Sequence, residues 1–186
     1  MKYFTLLVIA FTALVLLSIQ TSFGDEDQDD HHYAMFKREP GVEPVKNPLY
    51  EQECSSCHFA YPPGLLPEAS WRKIMTNLND HFGENAELGD ADRLAIEEYL
   101  VNNSATHSEF RRSKKITRSL SPSAAPLRIT ELPYFKHEHD EIPSRLVKDN
   151  PKVGSFSQCD ACHQDANKGY FSENKIKIPG YGRWDD

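Results

Sequence analysis

Two five-residue motifs constrain this chain more than any other feature: Cys54-Ser55-Ser56-Cys57-His58 and Cys159-Asp160-Ala161-Cys162-His163. Together they use all 4 cysteines of the 186-residue sequence. Cys-x-x-Cys-His is the attachment signature of c-type haem. The two thiols add across the haem vinyl groups as thioethers, and the adjacent imidazole lies under the iron as its proximal ligand. The spacing therefore predicts two covalent haem c groups, one on Cys54, Cys57 and His58 and one on Cys159, Cys162 and His163. Structural zinc pairs lie much closer in sequence than these two. Neither motif sits in the strand-turn-helix setting of a thioredoxin-like redox unit. Both of those readings also leave the trailing histidines unexplained.

The N-terminus points to haem attachment outside the cytoplasm. Lys2 supplies a positive start, residues 6–17 are apolar, and Ser22 and Gly24 are the small residues a signal peptidase reads. Residues 1–24 are expected to be a signal peptide cleaved after Gly24. Residues 3–23 are about long enough to span a bilayer as an uncleaved anchor, but polar Ser18, Gln20 and Thr21 favour cleavage. No later run is long enough to cross a membrane, so the mature chain is expected to be soluble and periplasmic. Its formal net charge, -7 for the full sequence, argues against nucleic acid as a partner and suits a carrier that docks by charge. Its apolar content is modest, and two haems would supply apolar surface for side chains to cover.

The rest divides into four pieces. Residues 25–46 begin with Asp-Glu-Asp-Gln-Asp-Asp, then His31 and His32, and read as an acidic tail rather than a metal site. Residues 47–103 read as a helical haem domain. Asn47-Pro48 is a cap and first-turn proline, so a helix should run into Cys54. Tyr61-Pro62-Pro63-Gly64-Leu65-Leu66-Pro67 must be a loop. A second helix is expected from Ser70 to Gly83, with Trp71, Ile74, Met75, Leu78 and Phe82 on its buried face. A third should start at Asp90, with Ala91, Leu94, Ala95, Tyr99 and Leu100 inward. This is the plan of a monohaem cytochrome c. Residues 104–127 lack an apolar period and read as a linker. Their cations Arg111, Arg112, Lys114, Lys115 and Arg118 either face solvent or face haem propionates or an acidic partner. Residues 128–186 hold the second haem motif in little regular structure. The fold class expected is mainly α: a monohaem-cytochrome-c-like domain followed by a largely irregular haem-binding segment.

The motifs provide only the proximal imidazoles. For the first iron the distal candidates are His81, Met75 and His107. Met75, mid-helix among apolar residues, reads as packing. His107, between Thr106 and Ser108, reads as solvent-facing. His81 follows Leu78 by three and Ile74 by seven, so a continuous helix would put it on the buried face. For the second iron the candidates are His137 and His139. Two residues apart, they would face the same side of an extended segment, and the residues alone leave that choice open.

Several stretches resemble the small periplasmic dihaem cytochromes c of the DHC family. They are Tyr50-x-x-x-Cys54-x-x-Cys57-His58-x-x-Tyr61-Pro62-Pro63 and Trp71-x-x-Ile74-Met75-x-x-Leu78-x-x-His81-Phe82-Gly83-Glu84. Arg128-Ile129-Thr130, Glu138-His139 and the second motif with Ile178-Pro179 after it follow in the same order. The resemblance implies two imidazoles on each iron, His58 with His81 and His163 with His139. It also implies an electron carrier whose partners are other haem proteins, among them a small oxygen-binding cytochrome c and membrane cytochromes b.

With both axial positions filled, the expected activity is outer-sphere electron transfer and not enzyme catalysis. Bis-imidazole ligation gives a lower potential than His/Met. Two alternatives stand beside it. A haem enzyme or gas sensor would leave one iron open, but dihaem peroxidases are much longer chains. The small dihaem subunit of a periplasmic nitrate reductase lacks the monohaem-like domain expected over residues 71–100.

Overall fold

The computed structural model describes residues 39–184. The signal segment and the acidic tail with His31 and His32 lie outside the described residues. Glu39–Asp186 forms one compact unit. Six α-helices run through the described part: α1 (Pro48–Cys54), α2 (Glu68–Met75), α3 (Asp90–Asn102), α4 (Arg111–Arg118), α5 (Pro133–His137) and α6 (Cys159–Cys162). Short 3-10 turns join them. A two-stranded antiparallel ribbon, β1 (Lys177–Ile178) and β2 (Gly182–Arg183), ends the fold with Ile178 opposite Gly182.

The start of α1 follows the sequence reading. The Asn47 side chain accepts a hydrogen bond from the Tyr50 amide at 2.9 Å, and Pro48 occupies the first turn, where no amide is needed. The Pro-rich stretch is a loop with a single 3-10 turn, Pro63–Leu65, and is buried from Pro62 to Pro67. Its backbone groups have partners: Trp71 Nε1 donates to the Pro63 carbonyl at 2.8 Å, and Ser113 Oγ to that of Gly64 at 2.9 Å.

Two helices differ from expectation. The second stops at Met75 instead of reaching Gly83. Asn77 Nδ2 bonds the Asp80 carbonyl, and Asp80 Oδ1 accepts from the Gly83 amide. Asn and Asp thus supply local bonds that compete with the helix ladder. The chain makes a 3-10 turn at Leu78–Asp80, and Phe82 takes φ 60°. In α3 the buried residues are Ile96, Leu100 and Val101, while Ala91, Leu94 and Ala95 face solvent. Leu94 is 56% exposed. Apolar residues lie all round this helix, so periodicity identified a helix but not its phase. Its exposed edge is tied by Arg93 to Glu97 and by Arg72 of α2 to the same carboxylate.

The expected linker is also structured. Residues 104–127 contain α4, with Ser113 and Ile116 buried. α4 packs against the Pro63–Leu65 turn on one side and α5 on the other. In residues 128–186, expected to hold little regular structure, a 3-10 turn at Ile129–Glu131 is followed by α5.

One main core gathers Tyr50, Leu65, Leu66, Trp71, Met75, Ile96, Leu100, Ile116 and Leu132. A smaller one under the C-terminal segment joins Leu146, Ile176 and Ile178. Gly169 stitches the C-terminal segment to the start of the described chain. Its carbonyl accepts from the Gly41 amide at 2.9 Å, its φ is +78°, and a Cβ there would lie 2.2 Å from the Val42 carbonyl oxygen. Only glycine satisfies both demands.

Candidate haem sites

The first site is built at the end of α1. Cys54 closes the helix, and the chain turns so that His58 follows Cys57. His58 Nδ1 lies 2.8 Å from the Phe59 carbonyl oxygen. A carbonyl only accepts, so Nδ1 carries the proton and Nε2 keeps its lone pair for a metal. The Tyr61 ring stacks on His58 at 5.0 Å and 29°. The His81 ring also faces His58, with centroids 6.1 Å apart and planes at 24°. His81 does not get there along a helix face. Its backbone is pinned by a bridge to Glu84, the His81 amide donating to the Glu84 carbonyl at 2.7 Å. Burial and the facing His58 lower its pKa, which favours the neutral, ligating form.

Among the competing candidates, Met75 is buried in the core beside Trp71 and Leu78. His107 is exposed, with Nε2 bonded to Glu68 Oε2 at 2.8 Å.

The second site draws on α5, α6 and the turns around them. His163 follows α6, its amide bonded to the Cys159 carbonyl at 2.8 Å. His139 follows α5, and its Nδ1 is 2.8 Å from the Phe135 carbonyl, so here too Nε2 keeps its lone pair for a metal. The His139 and His163 rings are 6.2 Å apart with planes at 77°. Phe135 stacks on His139 at 3.9 Å, Phe156 meets His139 edge-on, and Phe171 meets His163 edge-on at 5.3 Å. These residues line one apolar cavity with Cys159, Cys162, Leu132, Ile142, Ile176 and Arg112. His137 is exposed at the end of α5, because the segment is helical and not extended.

Arg112 braces the cavity wall. It donates to Tyr134 Oη at 2.7 Å and to the Phe171 carbonyl at 2.8 Å, and lies 3.5 Å from Glu138. Burial, then the His139 and Arg112 charges, push the His163 pKa down to about 4. Burial pushes the Cys54 thiol up to about 11 and that of Cys159 up to about 12. Such apolar surroundings favour a neutral sulfur, as in a thioether, over a thiolate.

The residues fit haem. An iron bonded to two imidazole nitrogens at about 2 Å each, with each nitrogen about 1 Å from its ring centre, sets those centres about 6 Å apart. Both pairs meet that distance. Among the described residues no three His, Cys, Asp or Glu side chains gather as a site for a bare metal ion. Each pair could offer two imidazole nitrogens, which is what a metal already held by four porphyrin nitrogens would need. Phe135, Phe156 and Phe171 were missed as site residues in the sequence, and Arg112, read there among cations facing solvent, haem propionates or a partner, lines the cavity wall. Phe135 lies four residues before His139, a signal that reads only if α5 is recognised as a helix.

Paired cysteines, trailing histidines and facing imidazoles define a c-type cytochrome with two haems. The dihaem cytochrome c family model matches residues 50–171. The diheme cytochrome type c of Shewanella baltica OS155 is 48% identical, covering 75% of this chain and 98% of that one, with a TM-score of 0.62. The diheme cytochrome c of Rhodobacter sphaeroides is 46% identical over 70% of this chain and 100% of that one, with a TM-score of 0.63. No curated protein matches the chain. The chain belongs to the dihaem cytochrome c family and carries two covalently attached haem c groups.

Proposed function

We propose that this chain is a periplasmic electron carrier in which His58 and His81 close one iron and His163 and His139 the other. The observation that carries the reading is the facing pair at each motif, 6.1 Å and 6.2 Å between ring centres. Cys54 with Cys57, and Cys159 with Cys162, would supply the thioethers. A bound haem iron supplies reversible one-electron chemistry between the ferric and ferrous states. His58 with His81, and His163 with His139, would hold the metals with the protein's own side chains and would keep substrates off them. The Nδ1 bonds to Phe59 and Phe135 hold the His58 and His139 rings in place, so little reorganisation accompanies electron transfer. Phe135, Phe156 and Phe171 exclude water from the second site, which disfavours extra charge at the metal.

Donors and acceptors are other haem redox proteins, a membrane cytochrome b or a small oxygen-binding cytochrome c. Among the described residues no helix is long and apolar enough to cross a membrane. Export follows from cleavage after Gly24, and N-terminal sequencing of the secreted protein should begin at Asp25. A spectroelectrochemical titration tests the carrier role. Two reversible one-electron steps per chain are expected, both below the range of His/Met haems. A single step, or irreversible reduction with loss of a ligand, would overturn it.

A further inference from the structure

We propose that the exposed face of α4 is the docking surface for an anionic redox protein that exchanges electrons with the second haem; this rests on the carrier reading above. Residues 110–130 contain six cations, Arg111, Arg112, Lys114, Lys115, Arg118 and Arg128, and no Asp or Glu, in a chain of net charge -7. Arg111, Lys115 and Arg118 stand at positions i, i+4 and i+7 of α4, on one face, and all three are exposed. Ser113 and Ile116 are buried, which anchors the helix and holds the charged face outward. Arg112 reaches Glu138 and Lys114 reaches Glu109, but among the described residues no ion pair involves Arg111, Lys115 or Arg118.

Helix stability explains only part of this charge. Lys115 and Arg118 in the last turn complement the helix dipole, but Arg111 and Arg112 in the first turn oppose it, and Arg111 and Lys115, four apart, repel. α1, α2 and α3 carry acids in their first turns, whereas α4 has none and begins with Arg111 and Arg112. The charged face adjoins the second site. α4 packs on α5, and Lys115 Nζ sits 5.6 Å over the Tyr134 ring. Tyr134 is followed by Phe135, which stacks on His139. A partner seated on α4 is thus two residues from the distal imidazole. The net field of the molecule repels anions, so a local cationic face would select both the partner and its orientation. A lipid surface fits less well. Among the described residues the exposed large apolar ones are Phe82, Leu94 and Tyr181, none of them on α4, and membrane-surface helices need such residues beside their cations.

The test uses the holoprotein and two electron donors in stopped flow. Acidic flavodoxin in its anionic hydroquinone form gives one electron to ferric iron and becomes the neutral semiquinone, with no proton exchanged. Neutral lumiflavin semiquinone gives one electron and releases its proton to solvent. At low salt the triple variant R111E/K115E/R118E should lower the flavodoxin rate constant about tenfold, with lumiflavin unchanged. A control with the same charge change elsewhere, K73E/K148E/K177E, should lower it by no more than about twofold. Equal losses in the two variants, or no loss in the first, would overturn the proposal. If lumiflavin fails to reduce the wild-type protein, the carrier reading falls with it. Co-sedimentation with phosphatidylglycerol vesicles that the triple variant abolishes would reassign the face to membrane and also overturn the proposal.

Discussion

At the scale of single residues the two imidazole pairs differ in one respect that distance does not record. The His58 and His81 planes lie at 24°, those of His139 and His163 at 77°. Near-parallel imidazoles act on the same iron d orbital and split the pair it belongs to, whereas crossed imidazoles leave that pair close in energy. Frozen ferric protein should therefore give two low-spin electron paramagnetic resonance signals, a rhombic one from the first site and one with a single large g value from the second. His139→Gly should abolish the second signal and keep the first. Two identical rhombic signals would contradict the geometry. The six motif residues were legible in the sequence, because covalent chemistry fixes their spacing. His81 was expected on the buried face of a longer helix, whereas an Asn77–Asp80 turn, not helical phase, brings it opposite His58. Between His137 and His139 the residues alone left the choice open; α5 leaves His137 exposed and seats His139 on Phe135, which supports His139.

At the scale of elements α4 carries the largest revision. Its residues read as a linker because charge hides the short apolar face: of eight positions, only Ser113 and Ile116 are buried. Ile116→Ala should destabilise the holoprotein by about 2–4 kcal/mol in denaturant titration, since it opens a cavity in the main core. A flexible linker would tolerate that change without measurable loss. Leu94→Ser, at a position expected to face inward, should shift the midpoint little, because that side chain is largely in solvent. Helix α1 was legible in detail, since Asn47 and Pro48 each have a local mechanism. Asn47→Ala should cost about 1 kcal/mol.

At the scale of the molecule the two haem segments belong to one compact unit, where the sequence suggested a domain, a linker and an appendage. Ser113 bonds the Gly64 carbonyl, Arg112 bonds Phe171, and Tyr61 Oη donates to the Ser157 carbonyl at 2.9 Å across 96 residues of sequence. Periodicity within a segment carries no information on such long-range contacts, so they were not readable. Tyr61→Phe should keep the stack on His58 and lose only the bond to Ser157. About 1 kcal/mol of stability should go, with the Soret and far-ultraviolet unfolding transitions still coincident. Separate transitions would mean that the two halves fold independently.

If the chain itself closes both irons, through His58 with His81 and through His163 with His139, neither is open to an external ligand. Exposure of the fully reduced protein to carbon monoxide tests this closure most directly. The Soret band of the wild type should not change, and half the haem absorbance should shift in either His81→Gly or His139→Gly. A carbon monoxide shift in the wild type would show an open iron and contradict it.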